Sequence, residues 1–142
     1  MTSYIPSPRD RVRMQVELYE ATDGDIGYEL RGYPCVIVTH TGHRSGAIRK
    51  TPLIRVVHDG AYVLVGSYGG KPSDPTWVHN LRANPDITVR DRDQVNEVRA
   101  RLLESSDERA AVWATAVETF PEYATYQERT DRLIPVFVCE PR

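Results

Sequence analysis

Between Leu30 and His58 the chain carries five basic side chains and no Asp or Glu. The other residues hold 13 basic and 20 acidic side chains, so a segment of charge +5 stands against −7 elsewhere. In Gly42–Lys50, glycines allow close backbone approach, and the cationic side chains bind phosphate or carboxylate oxygens. This indicates a local anion site, although two strands presenting arginines to solvent would have the same composition. The five are Arg31, Arg44, Arg49, Lys50 and Arg55.

A glycine- and proline-rich stretch, Gly69–Pro75, follows the basic segment and precedes Trp77. Lys71 lies in this stretch and can reach over the same anion. Trp77 and the tyrosines, each taken singly, are best explained as core residues. An aromatic ring beside an anion site, however, is what a ring-bearing phosphorylated cofactor requires.

Several other chemistries are excluded by spacing. Gly66–Lys71 is not a nucleotide triphosphate loop, since Val65 and Pro72 stand where that motif needs Gly and Ser or Thr, and no dinucleotide-binding glycine motif follows a strand. His40 and His43 lack the further ligands of a zinc site, so no metal is expected. The two cysteines, Cys35 and Cys139, fall in apolar runs typical of core thiols.

The elements that must position these residues follow from periodicity and turn signals. Val12, Val16 and Tyr19 mark the apolar face of a helix over Pro8–Ala21. A capping box of Ser105 and Glu108 starts another helix, with a predicted apolar stripe of Ala110, Trp113, Ala114, Val117 and Phe120. Strands are predicted over Cys35–Thr39, Thr51–Val57, Tyr62–Ser67, Ile87–Arg90, Val95–Leu103 and Ile134–Cys139, with short helices over Thr76–Ala83 and around Tyr123 and Tyr126.

This order of elements predicts the fold class. Tight turns between consecutive strands favour antiparallel pairing, and about six short strands favour a small barrel or curled sheet with flanking helices, an α+β fold dominated by β-structure. The 142 residues suit one domain, 1–142, with the N-terminal helix inside 1–25.

Composition limits the partners and the location. A net charge of −2 gives no reason to expect nucleic acid, and no apolar run approaches the ~18 residues of a membrane span. Two cysteines and the absence of a signal-peptide pattern favour a cytoplasmic protein.

Four segments in the same order carry a family resemblance. They are V-I-V-T-H-T-G-H-R-S-G-A-I-R from Val36, G-S-Y-G-G-K-P-S-D-P from Gly66, W-V-H-N-L-R-A-N-P from Trp77, and Y-A-T-Y-Q-E-R-T-D-R from Tyr123 with Ile134-Pro135. Over Pro34–Pro141 the chain is similar to the deazaflavin-dependent nitroreductase family, which is related to FMN-binding split barrels.

The resemblance implies a Greek-key-like split β-barrel that binds coenzyme F420, an 8-hydroxy-5-deazaflavin with a phosphate and an oligoglutamate tail. It assigns Arg44 and Arg49, with Lys50 and His43 beside them, to the phosphate and tail. Ser67, Tyr123 and Tyr126 are implied to face the substrate. The residues implied to lie along the deazaflavin and ribityl chain are Ser67, Tyr68, Lys71, Pro75, Trp77, Asn80 and Asn84.

Three departures from the family pattern stand out. His43 replaces a frequent Arg, which makes the tail site less cationic near neutral pH. Tyr68 stands where Lys is common. Phe120 occupies a position that is tyrosine in the nitroimidazole-activating member, so activation of such prodrugs is not implied.

The resulting hypothesis is an F420-dependent reductase that transfers a hydride to a quinone, an activated enone or a nitroaromatic, with Ser67 and Tyr123 or Tyr126 as proton donors. A homodimer and peripheral membrane contact are compatible with the family. Two alternatives stay open: an FMN-binding barrel oxidoreductase, and a non-catalytic module that binds F420 or a quinone.

Overall fold

The computed structural model describes residues 3–104 and 106–142. The α-helices in these residues are α1 Asp10–Ala21, α2 Thr76–Ala83, α3 Asp107–Thr119 and α4 Glu122–Glu128. The strands are β1 Glu29–Leu30, β2 Tyr33–Thr41, β3 Ile48–Ile54, β4 Val56–His58, β5 Ala61–Val65, β6 Asp86–Asp91, β7 Gln94–Leu102 and β8 Val136–Pro141. A short 3-10 turn, Tyr68–Gly70, follows β5.

The strands form a closed antiparallel barrel. The sheet runs in the order β1-β2-β6-β7-β8-β5-β4, and β3 pairs with the other edge of β2. A single residue, Arg55, separates β3 from β4, so one bent strand pairs with β2 at one end and β5 at the other and closes the sheet. With β3 and β4 counted together and the short β1 set aside, the predicted barrel of about six strands is confirmed.

The connections follow the predicted Greek-key pattern. β2, the bent β3–β4 strand and β5 are consecutive neighbours, and the chain then returns to place β6 beside β2. A fourth strand that returns beside the first of three is the defining feature of that motif. The return connection contains the 3-10 turn and α2, which puts both at the barrel rim.

Alternation along β2 separates two hydrophobic clusters. Val36 and Val38 face the barrel interior, where Leu81 of α2 and Phe137 of β8 join them. Cys35 and Ile37 face the opposite side of the sheet and pack against Val16 and Tyr19 of α1. Successive strand residues point to opposite faces, so the continuous apolar run that suggested a buried strand serves two layers. The third cluster lies under α3 and α4.

Some element bounds and faces differ from the prediction. The predicted strand Thr51–Val57 bends at Arg55, where the chain leaves β2 for β5. The pairing of β2 with β3 extends beyond the predicted strands Cys35–Thr39 and Thr51–Val57 as far as Thr41 and Ile48, which places Arg49 and Lys50 on β3. The short β1 was not predicted. By contrast, α2 has the predicted bounds, and α1 begins two residues after Pro8.

The predicted face of α3 is wrong in part. Its buried residues are Arg109, Val112 and Ala116, whereas Ala110 and Ala114 are exposed. Alanine carries little apolar area, so its spacing is weak evidence for which helix face is buried. Ser105 lies outside the described residues. The observed N-cap is Ser106, whose hydroxyl oxygen accepts a hydrogen bond from Arg109 N at 3.3 Å.

Asp91, at the end of β6, holds the bend in place. Its carboxylate accepts hydrogen bonds from Arg55 Nε at 2.8 Å, Tyr62 OH at 2.8 Å and Tyr28 OH at 3.4 Å. The side chain is 12% exposed, so solvent replaces these contacts poorly. Burial and the contact with Asp91 raise the pKa of Tyr62 to about 12, which keeps this phenol a donor.

We expect Asp91→Ala to lower the free energy of unfolding by about 2 kcal/mol, because the Arg55 and Tyr62 donors lose their shared acceptor. Urea denaturation followed by far-ultraviolet circular dichroism measures this. Asp86→Ala is the matched control on the same strand, since its partner Arg99 is exposed. Equal losses in the two variants would contradict a special role for Asp91.

Candidate functional site

A cleft of about 430 Å³ opens at the barrel rim between the β2–β3 tip, the start of α2 and the segment preceding α1. A volume of this size suits a small-molecule site. Seven of the predicted cofactor residues line it, and the N-terminal segment supplies three lining residues that were not predicted. The seven are His43, Arg44, Arg49, Lys50, Tyr68, Trp77 and Asn80; the three are Ser7, Arg9 and Val12.

The basic end of the cleft contains guanidinium groups that have no acidic neighbour in the described part of the chain. Within residues 3–104 and 106–142, no carboxylate oxygen lies within 4 Å of the charged nitrogens of Arg9, Arg44 or Arg49. Lys50 differs, because its Nζ lies 2.7 Å from Glu20 Oε1 of α1. The unpaired charges are therefore available to an anionic ligand, whereas that of Lys50 is already compensated.

The two other basic residues of the acid-free segment are also paired. Arg55 Nε lies 2.8 Å from Asp91 Oδ2, and Arg31 Nη1 lies 3.7 Å from Glu122 Oε2. Of the five basic residues in the acid-free segment, Arg44 and Arg49 are thus the two without an acidic partner among the described residues. Arg9 joins them because the N-terminal segment runs beside β3, where Ile48 N donates to Ser3 O at 2.9 Å.

Asn80 of α2 fixes the tip that carries Arg44. Its Oδ1 accepts from the backbone N–H of His43 at 2.9 Å and lies 2.7 Å from His43 Nδ1. Its Nδ2 donates to His40 Nδ1 at 3.1 Å. Asn80 is 2% exposed, so its side chain is used almost entirely in these contacts. It joins helix, strand and loop behind the cleft.

His40 completes this network as a neutral ring. It is 4% exposed, and its Nε2 lies 2.9 Å from Thr51 Oγ1. Because Asn80 donates to Nδ1, the ring proton belongs on Nε2, which donates to the threonine. Burial and the nearby Arg49 lower the pKa of His40 to about 4.

Tyr68 and Trp77 form the aromatic side of the cleft. Trp77 is 7% exposed and packs against Phe137 with ring centroids 5.9 Å apart, so most of its ring belongs to the core. Tyr68 is half-buried, and Lys71 Nζ lies 4.2 Å from its ring centroid. Trp77 is therefore mainly a core residue that also lines the cleft, and its role toward a ligand stays a prediction.

Four predicted cofactor residues do not line this cleft. Ser67 is buried immediately before Tyr68, and Pro75 is buried at the N-cap of α2. Lys71 is exposed at the end of the 3-10 turn, and Asn84 is the C-cap of α2. Their assignments stay predictions.

A second, smaller cleft of about 280 Å³ lies on the other side of the same turn. Tyr68 lines the first cleft and Gly69 lines the second, so adjacent residues of one turn contribute to both clefts. The second cleft is lined by Arg31, Gly69, Glu122, Thr125, Tyr126 and Arg129.

The two tyrosines predicted to face substrate have different surroundings. Tyr126 lines the second cleft, and its hydroxyl donates to Glu122 Oε2 at 3.1 Å. Tyr123 is 5% exposed and packs against Phe120, with centroids 4.9 Å apart, without reaching either cleft. Burial raises the pKa of both phenols, so both stay protonated at neutral pH.

The closed barrel, with unpaired guanidinium groups and aromatic rings at one rim cleft, defines a class of small barrel that binds an anionic, ring-bearing cofactor. Residues 11–141 match the model of the F420H(2)-dependent quinone reductase family, and the chain belongs to that family. Coenzyme F420 is therefore its cofactor, as the resemblance implied. The cleft fits this group, since its cations without acidic partners among the described residues would suit a phosphate and an acidic tail.

Individual relatives agree with the family match. The chain is 35% identical over 134 residues to the F420H(2)-dependent quinone reductase Rv1261c of Mycobacterium tuberculosis. The aligned region covers 92% of this chain and 90% of that protein. A solved F420-H2 dependent reductase, FDR-A, is 49% identical with a TM-score of 0.70, over 75% of this chain and 94% of its own. A structure described as a domain-swapped dimer is 47% identical with a TM-score of 0.73, over 94% and 100%.

None of the helices in residues 3–104 and 106–142 combines the length and apolar character needed to cross a membrane.

The neutral His40 predicts a pH dependence of stability. The unfolded ring titrates near 6.5, whereas the folded ring has a pKa of about 4, so the unfolded state binds the proton first. This contribution is fully present above pH 6.5 and is lost as the pH falls toward 4. We expect the free energy of unfolding to drop between pH 6.5 and 5, and His40→Gln to flatten that drop. The free energy of unfolding is measured by urea titration at several pH values. An equal change with pH in the wild type and in His40→Gln would contradict the prediction. His79→Gln, which replaces an exposed histidine, is the control.

Proposed function

We propose that this chain reduces a quinone to a quinol with reduced F420, and that the first cleft holds the cofactor. The observation that carries the proposal is the set of guanidinium groups without acidic partners at one end of that cleft, in a barrel of the F420-dependent family. When bound, reduced F420 supplies a hydride from C5 of its deazaflavin. The quinone takes up this hydride and one proton, so the chain must provide binding, orientation and a proton donor.

Arg44 and Arg49 bind the phosphate and acidic tail in this proposal. Forked guanidinium groups suit phosphate and carboxylate oxygens, and the absence of nearby carboxylates leaves them free to act on a ligand. Arg9 adds a third cation from the N-terminal segment. His43 is held at the rim of the cleft by Asn80, whose Oδ1 lies 2.7 Å from its Nδ1.

The aromatic side of the cleft orients the deazaflavin. Tyr68 and the exposed edge of Trp77 supply flat apolar contact, and Lys71 over the Tyr68 ring brings a cation to the same side. Pro75 and Asn84, at the two ends of α2, are proposed to contact the ribityl chain as the resemblance implies. Asn80 supports this wall from behind, since its polar atoms are already bonded.

The acceptor is proposed to bind at the second cleft where it adjoins the first at the 3-10 turn, because a hydride passes only between atoms in direct contact. A hydride adds negative charge to the acceptor oxygen, which a hydrogen-bond donor stabilises. The Tyr126 hydroxyl lines that cleft, and Ser67 lies at the start of the turn between the clefts. Tyr126 would have to release Glu122 to donate. Arg129 also favours developing negative charge there, whereas Arg31 is already paired with Glu122.

Activated enones and nitroaromatics are proposed as further acceptors, because both are electron-poor. The related domain-swapped dimer supports a homodimer for this chain, which sedimentation equilibrium measures.

We expect Arg44→Ala with Arg49→Ala to raise the Kd for F420 about 100-fold, because two charge-assisted contacts are lost. Fluorescence titration with F420 measures this. Lys50→Ala is the matched control, since Glu20 already neutralises that charge, and its Kd is expected to change less than about threefold. Similar losses in both proteins would contradict the assignment. Retention of FMN with no F420 binding would favour the FMN-dependent alternative.

Removal of the proposed proton donors tests the chemistry. We expect Tyr126→Phe to lower kcat for menadione reduction about 100-fold with little change in the Kd for F420, and Ser67→Ala to lower kcat to a smaller extent. Tyr123→Phe distinguishes the roles of the two tyrosines. If kcat is unchanged in this variant while it falls in Tyr126→Phe, Tyr126 is the proton donor to the acceptor. Wild-type turnover in all three variants would contradict these roles, and binding of F420 without any turnover by the wild type would indicate a non-catalytic module.

A further inference from the structure

Arg132, in the connection between α4 and β8, binds the segment that separates the two clefts. Its side chain is 15% exposed, and its guanidinium donates to three backbone carbonyls and one carboxylate. The contacts are Nε to Lys71 O at 2.9 Å, Nη1 to Gly66 O at 3.2 Å and to Asp74 Oδ1 at 2.7 Å, and Nη2 to Ser67 O at 2.8 Å. One planar group thus fixes both ends of the turn.

The turn has a backbone that needs such support. Tyr68, Gly69 and Gly70 have consecutive positive φ values of 48°, 65° and 79°. The left-handed region is unfavourable for a residue such as tyrosine and persists only where the surroundings hold it. Gly70 is seated against α4, since a Cβ there would lie 2.7 Å from Tyr126 O.

Arg132 is itself tied to α4. Gln127 Nε2 donates to Arg132 O at 2.8 Å, and Gln127 Oε1 accepts from Ile134 N at 3.0 Å. The same helix carries Tyr126. The Arg132 guanidinium therefore sets the position of Ser67 and Tyr68 relative to the helix that lines the second cleft.

We propose that Arg132, together with Asp74, is a positioning residue for the transfer between cofactor and acceptor. It lines neither cleft and acts through the backbone that carries Ser67 and Tyr68. Lysine cannot replace it, because four acceptors in one plane need the forked donors of a guanidinium. This inference rests on the proposed function for its effect on turnover.

The experiment compares Arg132→Lys, Arg132→Gln and Asp74→Asn with the wild type. We expect backbone amides within residues 66–74 to exchange with deuterium at least about tenfold faster in the ligand-free Arg132 variants. The reason is that the backbone carbonyls around the turn lose the guanidinium that donates to them. The kcat for menadione should fall at least about tenfold, while the Kd for F420 changes less than about threefold, since Asn80 anchors the Arg44 loop independently. Asp74→Asn keeps the three carbonyl contacts and should show a smaller effect of the same kind.

Arg99→Gln, which removes an exposed ion pair far along the β6–β7 hairpin, is the control and should match the wild type. Unchanged exchange of residues 66–74 in the Arg132 variants, or full rescue by lysine, would overturn the proposal. If Arg132→Gln fails to fold, Asp74→Asn decides: wild-type kcat and exchange in that variant overturn it. A wild type that does not oxidise reduced F420 refutes the proposed function instead, and the exchange measurement still judges the role of Arg132.

Discussion

Closure of the sheet at Arg55 is the constraint on which both clefts depend. At this residue the chain leaves β2 and joins β5, and the Asp91 carboxylate holds the bend through Arg55 and Tyr62. β2, β6, β7, β8 and β5 are each paired on both sides, and the bent β3–β4 strand joins the two ends of this series, so the rim positions are fixed relative to one another. The β2–β3 tip, the 3-10 turn and α2 all emerge at that rim and can converge on one ligand.

Convergence at the rim is secured by polar side chains that are largely buried. Asn80 ties the basic tip to α2 and to the neutral His40, and Arg132 ties the 3-10 turn to the connection after α4. These groups are buried or nearly so, and their hydrogen bonds are correspondingly hard for water to replace. The residues proposed to bind the cofactor can therefore be accessible cations, because their backbone is held in place by these contacts.

The distribution of carboxylates decides which basic residues can serve a ligand. Glu20, Asp91 and Glu122 lie far apart in the chain, yet each meets one cation of the acid-free segment. Arg44 and Arg49 have no such partner among the described residues. Selective neutralisation converts a broad basic run into a small anion site, which suits a compact multiply charged cofactor better than a polyanion.

Local signals in the sequence were sufficient for the elements and the family. Hydrophobic periodicity and turn residues gave α1, α2 and most strands, since both depend only on neighbouring residues. The order of motifs identified the F420-dependent family and indicated Arg44 and Arg49 as candidate cofactor ligands. The exposed Ala110 and Ala114 of α3 mark the limit of that approach, because small side chains report weakly on burial.

Tertiary structure alone decided which charges are free, which tyrosine meets a cleft, and what holds the turn. Arg9 reaches the site because the N-terminal segment lies along β3, and Tyr123 is buried because α4 packs onto α3. Arg132 contacts carbonyls more than 60 residues earlier in the chain. A sequence specifies these pairings only through the closed barrel, since contacts between distant residues depend on how the strands meet and not on the residues' own neighbours.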